Sequence, residues 1–272
     1  MRKTVNFRHS RRDVLRAGGC LMAAALAGTG AAGGSEIIRL GDAEDAFARE
    51  GFSGTFAAFD ARADRLIMLN ASRAETRFVP ASTFKIPNSL IALEVGAVKD
   101  ADEVFRYDGK PRRVAAWQKD MTLREAVTAS NVPVFQEIAR RVGIESYKTW
   151  LSKLDYGNRE TGEIVERFWL DGPLTISAIE QARFLARFAE QALPMSARSQ
   201  AIVRDIIRIE EKDGRALFAK TGWDGKIGWW AGWVEREDRK TAFALNMDMS
   251  KSADAPKRIQ IGRALLAHLG VY

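Results

Sequence analysis

The sequence predicts an α+β (mixed α/β) fold, in which strands from both ends of the chain form an antiparallel sheet and a helical lobe is inserted between them. Two observations carry this prediction. Short runs of apolar and β-branched residues, typical of strands, lie towards both ends of the chain, and the middle is mainly helical in pattern. The 272 residues are enough to bury the core of one large domain, so we expect a cleft between sheet and lobe.

The predicted strands fall into an N-terminal and a C-terminal group. Thr55–Phe59 and Arg65–Leu69 are joined by a short turn at Ala61–Asp64. Three more strands are expected near the other end: Arg215–Trp223, Ile227–Val234 and Thr241–Met249. The dipeptide Asp224-Gly225, between the first two of these, is a strong signal for a hairpin turn.

The helical lobe is marked by its helix ends. Gly143 is expected to end a helix that starts near Pro133, and Ala253–Leu269 is the predicted C-terminal helix. Two further helix starts are indicated by pairs with the spacing of a capping box: Thr122 with Glu125, and Ser177 with Glu180.

The formal net charge of +7 lies mainly at the N-terminus. Residues 1–27 contain six basic side chains and one aspartate, a net +5, which leaves +2 for the rest of the chain. A basic patch across the folded domain would suggest nucleic-acid binding. This distribution removes that support, and no nucleic-acid partner is predicted.

The first residues resemble an export signal. Ser10-Arg11-Arg12-Asp13-Val14-Leu15-Arg16 is similar to the twin-arginine motif, a weakly apolar stretch follows, and Ala25-Leu26-Ala27 offers a cleavage site. We expect a signal peptide over residues 1–32, a domain over residues 33–272, and a periplasmic protein that is not held at the membrane after signal removal. The alternative is a basic tail with a chance arginine pair.

Cysteine and histidine are scarce, which limits the chemistry. The single cysteine, Cys20, lies in the leader, so the mature chain would have no disulfide and no thiol nucleophile. The two histidines are His9, also in the leader, and His268 near the C-terminus. Zinc hydrolases usually need several His or Cys ligands, so no metal site is predicted.

Ser82 is the predicted nucleophile and Lys85 its base. In Pro80-Ala81-Ser82-Thr83-Phe84-Lys85 the two residues are three apart, a spacing that shares a face in the first turn of a helix. Serine needs an adjacent base, and without a usable histidine lysine is the remaining candidate. Pro87 follows closely, so we expect a tight or irregular helix start. Alone, a Ser-x-x-Lys motif is weak evidence.

Two further elements carry polar side chains that suit a cleft. Ser130-Asn131-Val132 precedes Pro133 at a predicted helix break, so Ser130 can project into the cleft; an ordinary helix-capping serine is the alternative. Lys220-Thr221-Gly222 lies on a strand that enters a tight turn. There the lysine would supply positive charge, the threonine a donor, and the glycine room for a substrate against the backbone. The alternative is a solvated strand lysine.

In this order, the three elements resemble the motif set of penicillin-recognising serine enzymes, with Ser-Asn-Val in place of Ser-Asp-Asn. Together with Tyr156-Gly157-Asn158 and Phe168-Trp169-Leu170, they make the chain similar to the class D β-lactamases, or oxacillinases, from about Ser53 to the C-terminus. The resemblance implies a β-lactamase/transpeptidase-like fold. It also implies hydrolysis of β-lactams, penicillins foremost, through an acyl-enzyme.

The resemblance further implies that carbon dioxide carboxylates Lys85 to N6-carboxylysine, the general base, with bicarbonate required and no resident cofactor. Only an uncharged amine reacts with carbon dioxide, so burial must lower the pKa of this lysine. The implied roles of the other residues are as follows: backbone N–H groups of Ser82 and Trp223 as oxyanion hole; Ser130 and Lys220 as proton donors to the leaving nitrogen; Thr221, Gly222 and Arg258 for substrate binding; Phe84, Val132, Trp169 and Leu170 as the lysine pocket.

Some interpretations stay open from the sequence alone. Trp169 also suits simple core packing, and Arg258 could belong to a charged helix face with Lys257 and Arg263. Glu166 lacks the surroundings of a class A deacylating base.

The rival functions are an antibiotic-sensing domain that stays acylated, a cell-wall transpeptidase or carboxypeptidase, and a secreted binding protein. Several class D relatives dimerise, which leaves a homodimer open.

Overall fold

The computed structural model describes residues 36–40 and 45–272, all within one compact unit. The predicted signal peptide over residues 1–32 lies outside them. Among the helices of the described ranges, none is long and apolar enough to cross a membrane.

Within the described residues, seven strands form one sheet in the order β1-β3-β2-β9-β8-β7-β6. Their bounds are Glu36–Arg39 (β1), Gly54–Asp60 (β2), Arg65–Leu69 (β3), Arg208–Lys212 (β6), Arg215–Trp223 (β7), Ile227–Arg236 (β8) and Arg239–Asp248 (β9). Val104–Phe105 (β4) and Met121–Thr122 (β5) pair separately. Strands from both ends of the chain therefore meet at β2 and β9, as predicted.

The sheet differs from the prediction at its edges. The pair β1 and β3 is parallel, whereas every other neighbouring pair is antiparallel. Neither β1 nor β6 was predicted, because each is short and rich in charged residues, as edge strands often are. The hairpin of β8 and β9 also continues through charged residues beyond Val234, where the apolar pattern ends.

The helices occupy the middle of the chain and its C-terminus, as expected. Their bounds are Asp45–Ala48 (α1), Ala71–Glu75 (α2), Lys85–Glu94 (α3), Leu123–Thr128 (α4), Val132–Val142 (α5), Ile144–Leu154 (α6), Ala178–Ala189 (α7), Ala197–Ile206 (α8) and Ala255–His268 (α9). Both predicted capping boxes are present, at the starts of α4 and α7. Gly143 ends α5, with a φ of +79°.

The sheet separates two apolar cores. One face packs against the helical lobe, where Trp229 and Trp233 join residues of α3, α5 and α7. The other face packs against α1 and α9 through residues such as Phe56 and Trp230. A Cβ at Gly262 would lie 2.3 Å from the Trp230 ring, so glycine allows α9 to lie this close to the sheet.

The segment Tyr156-Gly157-Asn158 joins α6 to the loop that carries Trp169. Asn158 is tied to Thr175 in both directions: its N–H donates to the Thr175 carbonyl, and its Oδ1 accepts from the Thr175 N–H, each at 3.0 Å. Gly157 has a φ of +54°, and a Cβ there would lie 2.1 Å from the Thr175 carbonyl oxygen. This landmark of the sequence therefore has a clear role in fixing the loop.

We expect Gly157→Ala to lower the free energy of unfolding more than Gly109→Ala, as measured by urea denaturation. Both glycines have positive φ, but a Cβ at Gly109 meets no atom within 4 Å. Gly109→Ala is therefore the control, and it should lower the free energy of unfolding by about 1–2 kcal/mol, because alanine disfavours the left-handed backbone. Gly157→Ala should lose roughly another 1–3 kcal/mol through the overlap with Thr175. Equal losses would show that the close approach is unimportant.

Candidate active site

Ser82 lies in a short 3-10 turn, Ala81–Phe84, that leads directly into α3. The turn begins at Pro80, whose carbonyl accepts from the Thr83 hydroxyl at 2.7 Å and from the Thr83 N–H at 3.2 Å. Pro87 falls in the first turn of α3, where a backbone N–H has no partner within the helix, so it is tolerated. The predicted irregular helix start is confirmed.

Gly222 allows strand β7 to pass close to this turn. A Cβ at Gly222 would lie 2.8 Å from the Pro80 carbonyl oxygen and 3.0 Å from the Thr83 nitrogen. The glycine is therefore required by protein packing. This contact holds the Ser82 turn beside the end of β7, and the expected role of Gly222 in making room for a substrate stays a prediction.

Lys85 is fully buried, and its Nζ lies 2.9 Å from Ser82 Oγ, to which it donates a hydrogen bond. Burial lowers the pKa of this lysine well below its ordinary value, and the nearby Lys220 lowers it further. The ring of Phe135 lies 5.0 Å from Nζ and completes the apolar surrounding. Ser82 and a lysine amine whose charged form is disfavoured are thus in direct contact, as the spacing predicted.

Two residues of the predicted lysine pocket belong to a buried aromatic cluster. Phe84 and Trp169 are both fully buried and stack with their centroids 5.7 Å apart. Leu170 packs against the same core, whereas Val132 is half-buried at the start of α5. Phe135 was missed by the sequence reasoning, although its position three residues after Val132 on one helix is the signal that could have found it.

The indole N–H of Trp169 has no hydrogen-bond partner within residues 36–40 and 45–272, although it is buried. Buried polar groups are nearly always paired, so an unpaired donor in a core calls for an explanation. An acceptor supplied from outside the protein, or by modification of a neighbouring side chain, would satisfy it. Simple core packing leaves this N–H unexplained.

Ser130 occupies the break between α4 and α5, with a φ of +54°. The residue that caps α5 is Asn131, whose Oδ1 accepts from the Val134 N–H at 3.1 Å. The interpretation of Ser130 as a helix cap is therefore wrong. Its hydroxyl instead accepts a hydrogen bond from Lys220 Nζ at 3.1 Å.

Lys220 is buried, which contradicts the alternative of a solvated strand lysine. Its Nζ also donates to the Thr221 carbonyl at 3.1 Å. Burial, with a smaller effect of the Arg258 charge, lowers the pKa of Lys220 to about 7. At neutral pH this amine can therefore exist in both protonation states, which suits proton exchange with the Ser130 hydroxyl.

Lys257, Arg258 and Arg263 all lie on α9, and of these three Arg258 reaches the end of β7. Its Nη1 donates to the Gly222 carbonyl at 2.8 Å, and burial lowers its pKa to about 10. Lys257 binds Glu50 at 2.6 Å, and Arg263 binds Glu210 at 2.9 and 3.0 Å, so both are committed elsewhere. These separate partners distinguish Arg258 from a general charged helix face.

Trp223 ends β7 beside Gly222, half-buried, and its side chain is held in place. The indole N–H donates to the Met249 carbonyl at 2.7 Å, while the Met249 N–H donates to the Lys226 carbonyl at 2.6 Å. Both bonds tie the turn after β7 to the end of β9.

Glu166 forms an ion pair with Arg140 on the outside of α5, an arrangement that does not support a role as a catalytic base.

Comparisons with known proteins identify relatives of this chain. Residues 48–267 match the model of the penicillin binding protein transpeptidase domain. The chain is 40% identical over 232 residues to Beta-lactamase OXA-5 of Pseudomonas aeruginosa, covering 83% of this chain and 87% of the relative. It is 45% identical over 201 residues to Beta-lactamase OXA-48 of Klebsiella pneumoniae, covering 72% and 76%.

A solved structure shares the fold as well as the sequence. FUS-1 (OXA-85), a class D β-lactamase from Fusobacterium nucleatum subsp. polymorphum, superposes with a TM-score of 0.83 at 41% identity. The match covers 86% of this chain and 99% of that structure. The predicted β-lactamase/transpeptidase-like architecture is confirmed.

We expect Lys220→Met to have a higher free energy of unfolding than the wild type near pH 7. This difference between variant and wild type should shrink by about 3–4 kcal/mol as the pH rises towards 10. The pKa of this lysine is about 7 in the folded protein, whereas an unfolded lysine titrates near ~10.4. Between these values the unfolded chain binds more protons, so the wild-type protein gains stability as the pH rises.

Urea denaturation of both proteins at several pH values measures this difference. Lys226→Met, in the exposed turn after β7, is the matched control and should follow the wild type. A stability difference between Lys220→Met and wild type that stays constant from pH 6 to pH 10 would contradict the assigned titration.

Proposed function

The chain belongs to the class D β-lactamases, within the penicillin-binding transpeptidase superfamily, and from this premise we propose that it hydrolyses β-lactams, penicillins foremost, through an acyl-enzyme on Ser82. The observation that carries the proposal is the 2.9 Å contact between Ser82 Oγ and the buried Lys85 amine. A serine hydroxyl becomes a useful nucleophile only when a base can take its proton.

Lys85 is the residue that holds this base. Its pKa is lowered by burial, so its nitrogen can carry a free electron pair near neutral pH. When carbon dioxide adds to this nitrogen, the resulting carbamate supplies an anionic general base. The site fits such a group, because the buried Trp169 N–H lacks a partner among the described residues and could donate to it.

In the first half of the reaction, Ser82 Oγ attacks the lactam carbonyl carbon and its proton passes to the base held at Lys85. We assign the oxyanion hole to the backbone N–H groups of Ser82 and Trp223, which would stabilise the negative charge on the carbonyl oxygen. The lactam C–N bond then breaks. Its nitrogen takes a proton from the Ser130 hydroxyl, which Lys220 can replace across the 3.1 Å contact.

We assign the substrate carboxylate to Thr221 and Arg258, beside Gly222. Arg258 already donates to the Gly222 carbonyl, and its buried Nε has no partner within the described part of the chain. A guanidinium that is partly desolvated and incompletely paired is well suited to a carboxylate. The second half of the reaction uses the same base to activate a water that hydrolyses the Ser82 ester.

The enzyme should turn over many equivalents of a chromogenic cephalosporin, lose activity when bicarbonate is removed and regain it when bicarbonate returns. Lys85→Ala should lower kcat by about 10²–10⁴-fold, since the general base is lost. Lys148→Ala, an exposed lysine on α6, is the matched control and should keep full activity. Steady-state kinetics and the size of the initial burst provide the measurements.

The same assay separates the rival functions. A sensor domain would give one stoichiometric burst without turnover, and a non-enzymatic binding protein would give neither. Full turnover by Lys85→Ala would overturn the role of the lysine while leaving the hydrolase assignment intact.

We also propose export to the periplasm by the twin-arginine route, supported by the motif around Arg11 and Arg12 and the small-residue stretch that follows. Replacement of both arginines by lysine should leave β-lactamase activity in the cytoplasmic fraction of a bacterial host, whereas the wild type should reach the periplasm. Periplasmic activity of the double variant would refute this route.

A further inference from the structure

A cavity of ≈ 330 Å³ lies immediately beside the catalytic residues, between the sheet and α9. Lys220 and Thr221 line its inner end. These residues are the proposed proton donor and carboxylate site, so the cavity continues from the place where the substrate would lie. Its volume is in the range of cavities that hold drug-sized groups.

The walls of this cavity are mainly apolar. Trp230 of β8 and Ile259 of α9 contribute to it, together with the isoleucines at the junction of α8 and β6. Ile206 and Ile207 at that junction are buried, whereas Ile209 is 56% exposed. Ile209 therefore extends the apolar lining of the cavity to the protein surface.

An irregularity in the backbone of β6 determines the position of Ile209. The pairing of β6 with β7 shifts register between Arg208 and Glu210, and the Ala219 N–H donates to the Ile207 carbonyl at 3.0 Å. Ile209 is therefore the extra residue at an irregularity in an edge strand. Irregularities of this kind are common beside active sites, where they redirect a side chain.

The two arginines that line the cavity are paired with carboxylates, and its remaining basic residue, Lys220, is the proposed proton donor. Arg263 makes two hydrogen bonds to Glu210, at 2.9 and 3.0 Å. Arg208 binds Asp205 at 3.2 Å and Glu211 at 3.0 Å. The cavity therefore presents an apolar surface with paired charges at its edge, which favours an uncharged, apolar group over a second anion.

The chemistry of bicyclic β-lactams identifies that group. The carbon that bears the carboxylate is bonded to the lactam nitrogen, and in cephalosporins the next ring carbon, C3, carries a variable substituent. With the nitrogen at Ser130 and the carboxylate at Thr221 and Arg258, the C3 substituent is directed past Thr221. We propose that this cavity is a subsite for apolar C3 substituents of cephalosporins, an inference that rests on the proposed function.

The test compares two cephalosporins that share one acylamino side chain, one with a C3 methyl group and one with a C3 phenylvinyl group. Ile209→Glu places a charge at the mouth of the cavity, and KM for the phenylvinyl substrate should rise about tenfold. KM for the methyl substrate should change less than twofold. Ile209→Ala, a milder change, should raise KM for the phenylvinyl substrate about threefold.

Ile37→Glu is the matched control. Ile37 lies on β1, the outer strand at the opposite edge of the sheet, and is 57% exposed, so the same substitution there should leave both KM values unchanged. Equal effects of Ile209→Glu on the two substrates, or none on either, would overturn the subsite. If the wild type hydrolysed neither cephalosporin nor a penicillin, the proposed function itself would fail, and the two failures are thereby distinguishable.

Discussion

The site depends on keeping the Lys85 amine uncharged beside the Ser82 hydroxyl. In water a lysine is almost entirely protonated at neutral pH and cannot accept a proton. Full burial of Lys85 opposes this preference and lowers its pKa, because a charge in such a place is poorly solvated. The packing of Phe135 against the Lys85 amine therefore affects the proton affinity of this nitrogen as well as the fold.

That arrangement costs stability, which the rest of the fold must offset. Lys85 and Lys220 are both buried, each with its pKa lowered, and neither has a carboxylate partner among the interactions found in the described chain. Strain adds to this cost, since Ser130 lies in the left-handed region. Two apolar cores on either side of the sheet provide the compensation, and close contacts at Gly222 and Gly262 join the sheet to the elements that carry the site. Such trade-offs between stability and activity are usual at active sites.

Whether the sequence could predict a feature depends on how far apart in the chain its interacting residues lie. Local patterns identified the capping boxes of α4 and α7, the hairpin at Asp224-Gly225 and the contact of Ser82 with Lys85, because all depend on residues close in the chain. The parallel β1, the charged β6 and the contact of Gly222 with the Pro80 turn depend on distant segments. No local pattern encodes such contacts. The bonds of Trp223 to Met249 and of Arg258 to Gly222 belong to the same class.

In the proposed mechanism, the two buried lysines divide the roles of base and acid. Lys85 contacts the attacking oxygen, and Lys220 contacts the hydroxyl proposed to protonate the leaving nitrogen. The charge of Lys220 lowers the pKa of Lys85, so a proton on one disfavours a proton on the other. When Lys220 is protonated and ready to supply Ser130, the environment of Lys85 is least favourable to a cation. The same electrostatic coupling that disfavours a proton on Lys85 thus favours its placement on Lys220, beside Ser130.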